Sequence, residues 1–155
     1  YEEKTLDVDF YGVYYGQSAL PLEAEKIKYL TNDVLENCKV FDYQNNKELP
    51  VYDMEKITSD DPTKIPDPYE MFLSGNQPII TMRDAENTSG KRLILFRDSF
   101  GSSIAPLLMS GYSEIVLVDL RYVSSDMLGQ YVDFTDADVL FLYSTLMLNN
   151  SLGMK

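Results

Sequence analysis

Histidine and tryptophan are missing from these 155 residues, and cysteine occurs once. Without histidine the chain lacks the side chain most often used as a proton acceptor near neutral pH. A single cysteine, Cys38, excludes an intrachain disulfide and a thiolate metal cluster. Within Leu35-Glu36-Asn37-Cys38 it reads as a small packed side chain rather than a nucleophile. Basic residues are also few: 13 Lys and Arg stand against 25 Asp and Glu, a formal charge of −12. Such a surface repels phosphate, which excludes nucleic acid as a partner and disfavours an anionic membrane. No apolar run approaches the ~20 residues of a membrane span, and no signal peptide is visible. The chain opens on Tyr1-Glu2-Glu3-Lys4 without an initiator methionine, which reads as a piece of a longer protein.

Other chemistries are excluded by pattern. The stretch 98–103 follows a strand but lacks the lysine of a phosphate loop and the glycines of a dinucleotide fingerprint. The acidic, proline-bearing loop at 58–68, with Asp60 and Asp61, has neither the central glycine nor the terminal glutamate of a calcium loop. No metal and no cofactor is expected.

What is present is a folded, single-domain composition, 45% apolar and 12% aromatic. Residues 7–15 alternate in character like a strand or extended arm, and 26–30 suggest a short strand. Residues 38–43 and 48–52 flank Gln44-Asn45-Asn46-Lys47, a hairpin whose asparagines tolerate positive φ. After Pro68 the pattern changes. A helical turn at 69–73 leads to Ser74-Gly75-Asn76, then strands are predicted at 78–83 and 92–96. A helix follows at 102–110, with Pro106 near its first turn and Gly111 closing it. A near-continuous apolar strand at 114–119, a helix at 125–132 and a strand at 138–143 complete the order. Strand–helix–strand–helix–strand implies parallel pairing through right-handed crossovers. The expectation is an α/β three-layer sandwich with a mainly parallel sheet over 69–150, preceded by a small β-rich segment over 1–68.

In such sheets ligands gather at the carboxyl ends of strands. Four features converge there: Asp98-Ser99 after one strand, Asp119, Arg121 and Tyr122 after the next, Tyr143-Ser144-Thr145 after the last, and Gly75-Asn76 before the first. Ser99 is the candidate nucleophile. The amides of Ser99 and Gly101 are candidate oxyanion donors, with space from Gly75 and a carboxamide from Asn76. One such donor is worth about 2.7–4 kcal/mol in a transition state. The plainer alternatives stay open: Asp98 or Ser99 only caps the following helix, and Asp119 with Arg121 is a structural ion pair.

Four segments, residues 72–78, 90–101, 106–108 and 113–122, resemble in order and spacing the carboxyl-terminal half of the DHHW family. That family comprises bacterial surface or secreted proteins related to SGNH/GDSL hydrolases and to the acetylation proteins of alginate export. The resemblance implies an SGNH-like serine esterase or O-acetyltransferase fold acting on acyl groups of cell-surface glycans, with an acylated polysaccharide as partner and a location outside the cell or at its surface. It places Ser99 on the family's serine, Gly75 and Asn76 on its Gly-Asn loop, and Asp119, Arg121 and Tyr122 on its Asp-x-Arg-Tyr element. The Asp-His-His-Trp motif that would supply acid and base has no counterpart here, and Gln77 stands where a histidine is expected. A serine hydroxyl without a base is a poor nucleophile, so these residues alone are expected to be inactive. The alternative is a non-catalytic glycan-binding or surface-assembly module, suggested by the missing histidine and by 12 tyrosines. A nucleotide-binding domain ranks last, for want of a phosphate loop.

Overall fold

The computed structural model describes residues 1–12, 21–58, 67–150 and 153–155. The acidic loop predicted at 58–68 falls largely outside them, as does the end of the predicted strand at 7–15. Strands β1 (Glu2–Phe10) and β2 (Glu25–Thr31) form a separate antiparallel ribbon. Its Leu6 and Ile27 pack on Met71 and Phe72, against the rings of Tyr29, Tyr52 and Tyr69.

The main sheet has six strands in the order β4-β3-β5-β7-β6-β8. They are β3 (Lys39–Asp42), β4 (Lys47–Leu49), β5 (Ile79–Arg83), β6 (Arg92–Arg97), β7 (Glu114–Val118) and β8 (Ala137–Leu142). The predicted hairpin is β3 with β4, and Asn46 carries the positive φ of its turn. Alternation along the central strands sends side chains to two cores. One holds Val40, Ile80, Met82, Leu93, Leu95, Ile115 and Leu117 beneath helices α1 (Asp33–Asn37) and α2 (Gly101–Leu108). The other holds Ile79, Ile94, Phe96, Val116 and Val118, covered by Val123, Leu128 and Val132.

The expected three-layer α/β sandwich with a mainly parallel sheet is overturned: this is a small, mostly β domain built on a mixed sheet. Only β6 with β7 and β6 with β8 are parallel, whereas β3 with β4, β3 with β5 and β5 with β7 are antiparallel. The reason lies in the connections. A parallel return needs a dozen or more residues, usually helical. The turns at 43–46 and 84–91 are too short for that and simply reverse the chain. The covers are thin as well. The predicted helix at 125–132 is a 3-10 segment, Ser125–Gln130. Helix α2 has eight residues, with Pro106 inside it rather than in its first turn, and a 3-10 turn at Met109–Gly111 finishes it. Helix α3 (Thr145–Asn149) follows β8. No helix among the described residues is long and apolar enough to cross a membrane.

Candidate functional site

The carboxyl ends of β6, β7 and β8 and the start of β5 share one edge of the sheet, because β5 runs antiparallel to β7. The four predicted features therefore meet. Strand β6 ends in a fully buried Arg97 and a buried Asp98, then turns at Ser99-Phe100 into α2. The Asp98 carboxylate clamps this turn. One oxygen accepts the Phe100 amide at 3.0 Å, and the other accepts the Ser144 amide at 2.7 Å, tying the end of β8 to that of β6. Ser99 is half-buried on the turn, and its hydroxyl has no partner among the described residues.

Gly101 contributes space more than a donor. Its amide is bonded to the Asp98 carbonyl at 3.1 Å, closing the turn. A β-carbon there would lie 2.5 Å from the Arg97 Cβ, so only glycine lets the helix start so close to β6.

On the facing side, Pro68–Met71 forms a 3-10 turn capped by Asp67. Leu73, Ser74 and Gly75 then follow in succession with φ of 55°, 58° and 86°. Left-handed backbone at a leucine and a serine costs about 1–3 kcal/mol each and persists where surroundings hold it. Here Leu73 is fully buried, and the Ser74 hydroxyl donates to the Asp53 carboxylate. This bend delivers Asn76 to the edge. Its side-chain oxygen accepts from Arg121 Nη2 at 3.3 Å, which leaves the amide nitrogen free to donate.

Arg121 is held by Asp119. The guanidinium donates through Nε at 2.9 Å and Nη2 at 2.6 Å, and the Arg121 amide bonds the same carboxylate at 3.1 Å. These bonds raise the Arg121 pKa above its ordinary value. Its guanidinium carbon lies 5.3 Å from the centre of the exposed Tyr122 ring, a cation–π contact. The structural ion pair is thus real, and it is also what orients Asn76. Asp119 is fully buried and touches a second guanidinium, Arg97 Nη1, at 3.5 Å. Arg97 also donates to the Gln77 carbonyl at 3.3 Å. Burial pulls the Arg97 pKa below its ordinary value, against the attraction of Asp119. The Arg97 Nε and the Tyr143 hydroxyl are buried without a partner among the described residues, and burial raises the tyrosine's pKa.

Sequence reasoning missed three contributors. Arg97 sits in an apolar strand, and only its charge hinted at a role. Gln77 lends its backbone oxygen. Tyr69 is the third: its hydroxyl donates to Ser103 Oγ at 2.8 Å and lies 3.3 Å from the Phe100 carbonyl, while its ring packs on Phe72 and Phe100. Through Tyr69 the β1–β2 ribbon braces the Ser99 turn.

The chemistry available at this edge is an unbonded hydroxyl, two guanidinium groups and an oriented carboxamide, with no proton acceptor on the hydroxyl among the described residues. Lys91, a conceivable base, precedes β6 and lies at the far end of that strand, roughly 20 Å from Ser99 at the usual rise per residue. Lys64, the other, falls outside the described residues.

Solved structures share this arrangement of elements. The fold resembles that of a DHHW family protein. That protein, from Eubacterium siraeum, superimposes with a TM-score of 0.65 at 22% identity, over 99% of this chain and 50% of its own. Bacillus cereus PatB1 with a sulfonyl adduct gives a TM-score of 0.58 at 21% identity, over 81% of this chain and 43% of its own. A second structure of Bacillus cereus PatB1 gives 0.56 at 21% identity, over 83% of this chain and 43% of its own. The chain spans about half the length of the proteins it resembles. No family model and no curated protein matches its sequence.

Proposed function

We propose that these residues form the nucleophile-bearing half of an SGNH-like serine esterase or O-acetyltransferase of the DHHW type, acting on acyl groups of cell-surface glycans. The observation that carries the reading is the unbonded hydroxyl of Ser99. It sits on a tight turn directly after a parallel strand, in a frame braced by the Asp98 carboxylate and by the Asp119–Arg121 pair. Asn76, held by Arg121, supplies an oxyanion donor, and Gly101 supplies the close approach. PatB1, of similar fold, has been seen with a sulfonyl adduct, the kind of product a nucleophilic side chain forms.

The base comes from residues beyond this chain. The polysaccharide partner is supported by a groove of about 360 Å³ beside Tyr122, with Tyr43, Pro78, Met127 and Tyr131 in its walls; tyrosine faces suit sugar rings. A surface or extracellular location belongs to the same proposal.

The experiment is fluorophosphonate labelling of the intact gene product, with acetate release from an acetylated polysaccharide measured alongside. Both signals are expected, and both should vanish in Ser99→Ala. Equal glycan-array binding by the parent and Ser99→Ala, with no labelling of either, would replace the reading with a non-catalytic glycan-binding module.

A further inference from the structure

The groove beside Tyr122 does not stop at Tyr131. Two further hollows, of about 390 and 500 Å³, continue it along the same face of the sheet. Tyr43 lines all three, and Tyr131 lines the groove and the nearer hollow. The floor follows from strand pairing. Tyr43 stands beside Ile79, Phe41 beside Thr81 and Lys39 beside Arg83. Each pair joins β3 to β5, and alternation puts all three pairs on one face. The cover on that face is short. The 3-10 segment Ser125–Gln130 packs through Leu128 with Ile94, Phe96, Val116 and Val118 of β6 and β7, and a trough is left over β3 and β5.

The chemistry of the trough selects among occupants. Its floor strands, β3 and β5, lie inside the sheet, so their backbone groups are engaged in the ladder. A peptide added as a strand needs such groups free and finds none on this floor. Charge is balanced at the far end, where Lys39, Arg83 and Arg92 stand with Glu48, Asp84 and Glu114. Neither an anion nor a cation is favoured there. Aromatic rings run through the middle. Tyr43 stands edge-on to Phe41 at 5.2 Å and to Tyr131 at 6.3 Å, and Tyr131 is 42% exposed. Hydrogen-bonding groups lie between the rings. Thr81 donates to the Tyr43 hydroxyl oxygen at 3.4 Å, which leaves the Tyr43 proton for a ligand, and Arg83 uses only its Nε, on Glu114. Rings interleaved with charge-paired hydrogen-bonding groups match an uncharged sugar, apolar on its faces and hydroxylated around its rim.

We propose that this trough is a track for an uncharged, extended glycan chain, running from the Ser99 edge of the sheet to the far edge beside Glu114. From Ile79 to Arg83 the floor alone covers about 13 Å at the usual rise per strand residue. Tyr122 prolongs it at the Ser99 edge. One sugar ring cannot fill that length, so the ligand is an oligomer or polymer held at several units. A unit near Tyr122 carries the acyl group, and the units beyond it rest on Tyr43, Phe41 and Arg83. That link to Ser99 rests on the function proposed above; binding in the trough does not.

The test titrates the intact gene product by calorimetry with glucose, cellobiose and cellohexaose, and with the matching chitin oligomers. In at least one series affinity is expected to rise tenfold or more from dimer to hexamer. Tyr131→Ala should weaken hexamer binding roughly tenfold, the worth of one ring contact, while Tyr131→Phe retains it. Phe41→Ala should lower affinity for the hexamer and spare the dimer, a split that loss of folding would not produce. No binding in either series, or affinity that does not change with length, would overturn the proposal. Self-association of the product that Tyr131→Ala abolishes would overturn it too, by giving the trough to a second copy. Hexamer binding by a product whose Ser99 resists fluorophosphonate keeps the track and removes the esterase; labelled Ser99 without hexamer binding does the reverse.

Discussion

Ser99 and its neighbours divide the labour of the edge cleanly. Removing the Ser99 hydroxyl breaks no bond among the described residues, so Ser99→Ala should change stability by less than about 0.5 kcal/mol while abolishing fluorophosphonate labelling. Gly101 is the opposite case. In Gly101→Ala the new methyl meets the Arg97 Cβ at 2.5 Å, and a core that must move to admit a carbon loses about 1–3 kcal/mol, read as a lower urea midpoint. Asp119 carries the largest stake. Asp119→Asn leaves Arg97 buried without its counter-charge, a loss of about 3–5 kcal/mol. Cys38 behaves as its sequence context suggests: burial pushes its thiol up to about 11. Iodoacetamide near neutral pH should therefore modify it roughly a hundredfold more slowly than an ordinary thiol; a rate equal to that of glutathione would contradict this.

At the scale of elements, the sheet is held at its far edge by one carboxylate. Glu114 on β7 accepts from Arg83 of β5 at 2.6 Å and from Arg92 of β6 at 2.8 Å, linking three neighbouring strands. Burial pushes its pKa upward, but the bonds to Arg92 and Arg83 outweigh burial and hold it below the ordinary carboxylate value. A carboxyl whose pKa is lower when folded adds stability in full above the unfolded value, about 4.3. That stability is lost as pH falls through the folded value. Glu114→Gln should flatten the stability–pH curve in that acid window and leave its slope near neutrality alone, as measured by urea unfolding. Strand positions were legible in the residues: β2, the β3–β4 hairpin and β5 to β8 all lie close to where alternation and turn residues put them. The hairpin and the parallel pairing of β6 with β7 and β8 follow the pattern of the residues, but β5 runs against β7, because the short connection at 84–91 reverses the chain.

For the whole molecule, the absence of histidine bears directly on the function proposed above. The isolated chain holds the proposed nucleophile, Ser99, and no histidine to serve it. It should hydrolyse p-nitrophenyl acetate no faster than Ser99→Ala does, since removing the histidine of a serine triad lowers turnover about a million-fold. Ester hydrolysis by the isolated chain that disappears in Ser99→Ala would show instead that a base lies within these residues.

Composition and short-range pattern determined the acidic surface, the inert cysteine, the strand boundaries and the gathering of Ser99, Asn76, Asp119 and Arg121 near one edge, because these follow from side-chain chemistry and the alternation of a strand. Tertiary structure alone decided that β5 runs against β7, that Arg97 is buried under the serine turn, that the Gly101 amide is occupied, and that β8 lies open on both faces. Each of these depends on which strands become neighbours, and pairing between segments far apart in the chain leaves no local trace in the residues that make it.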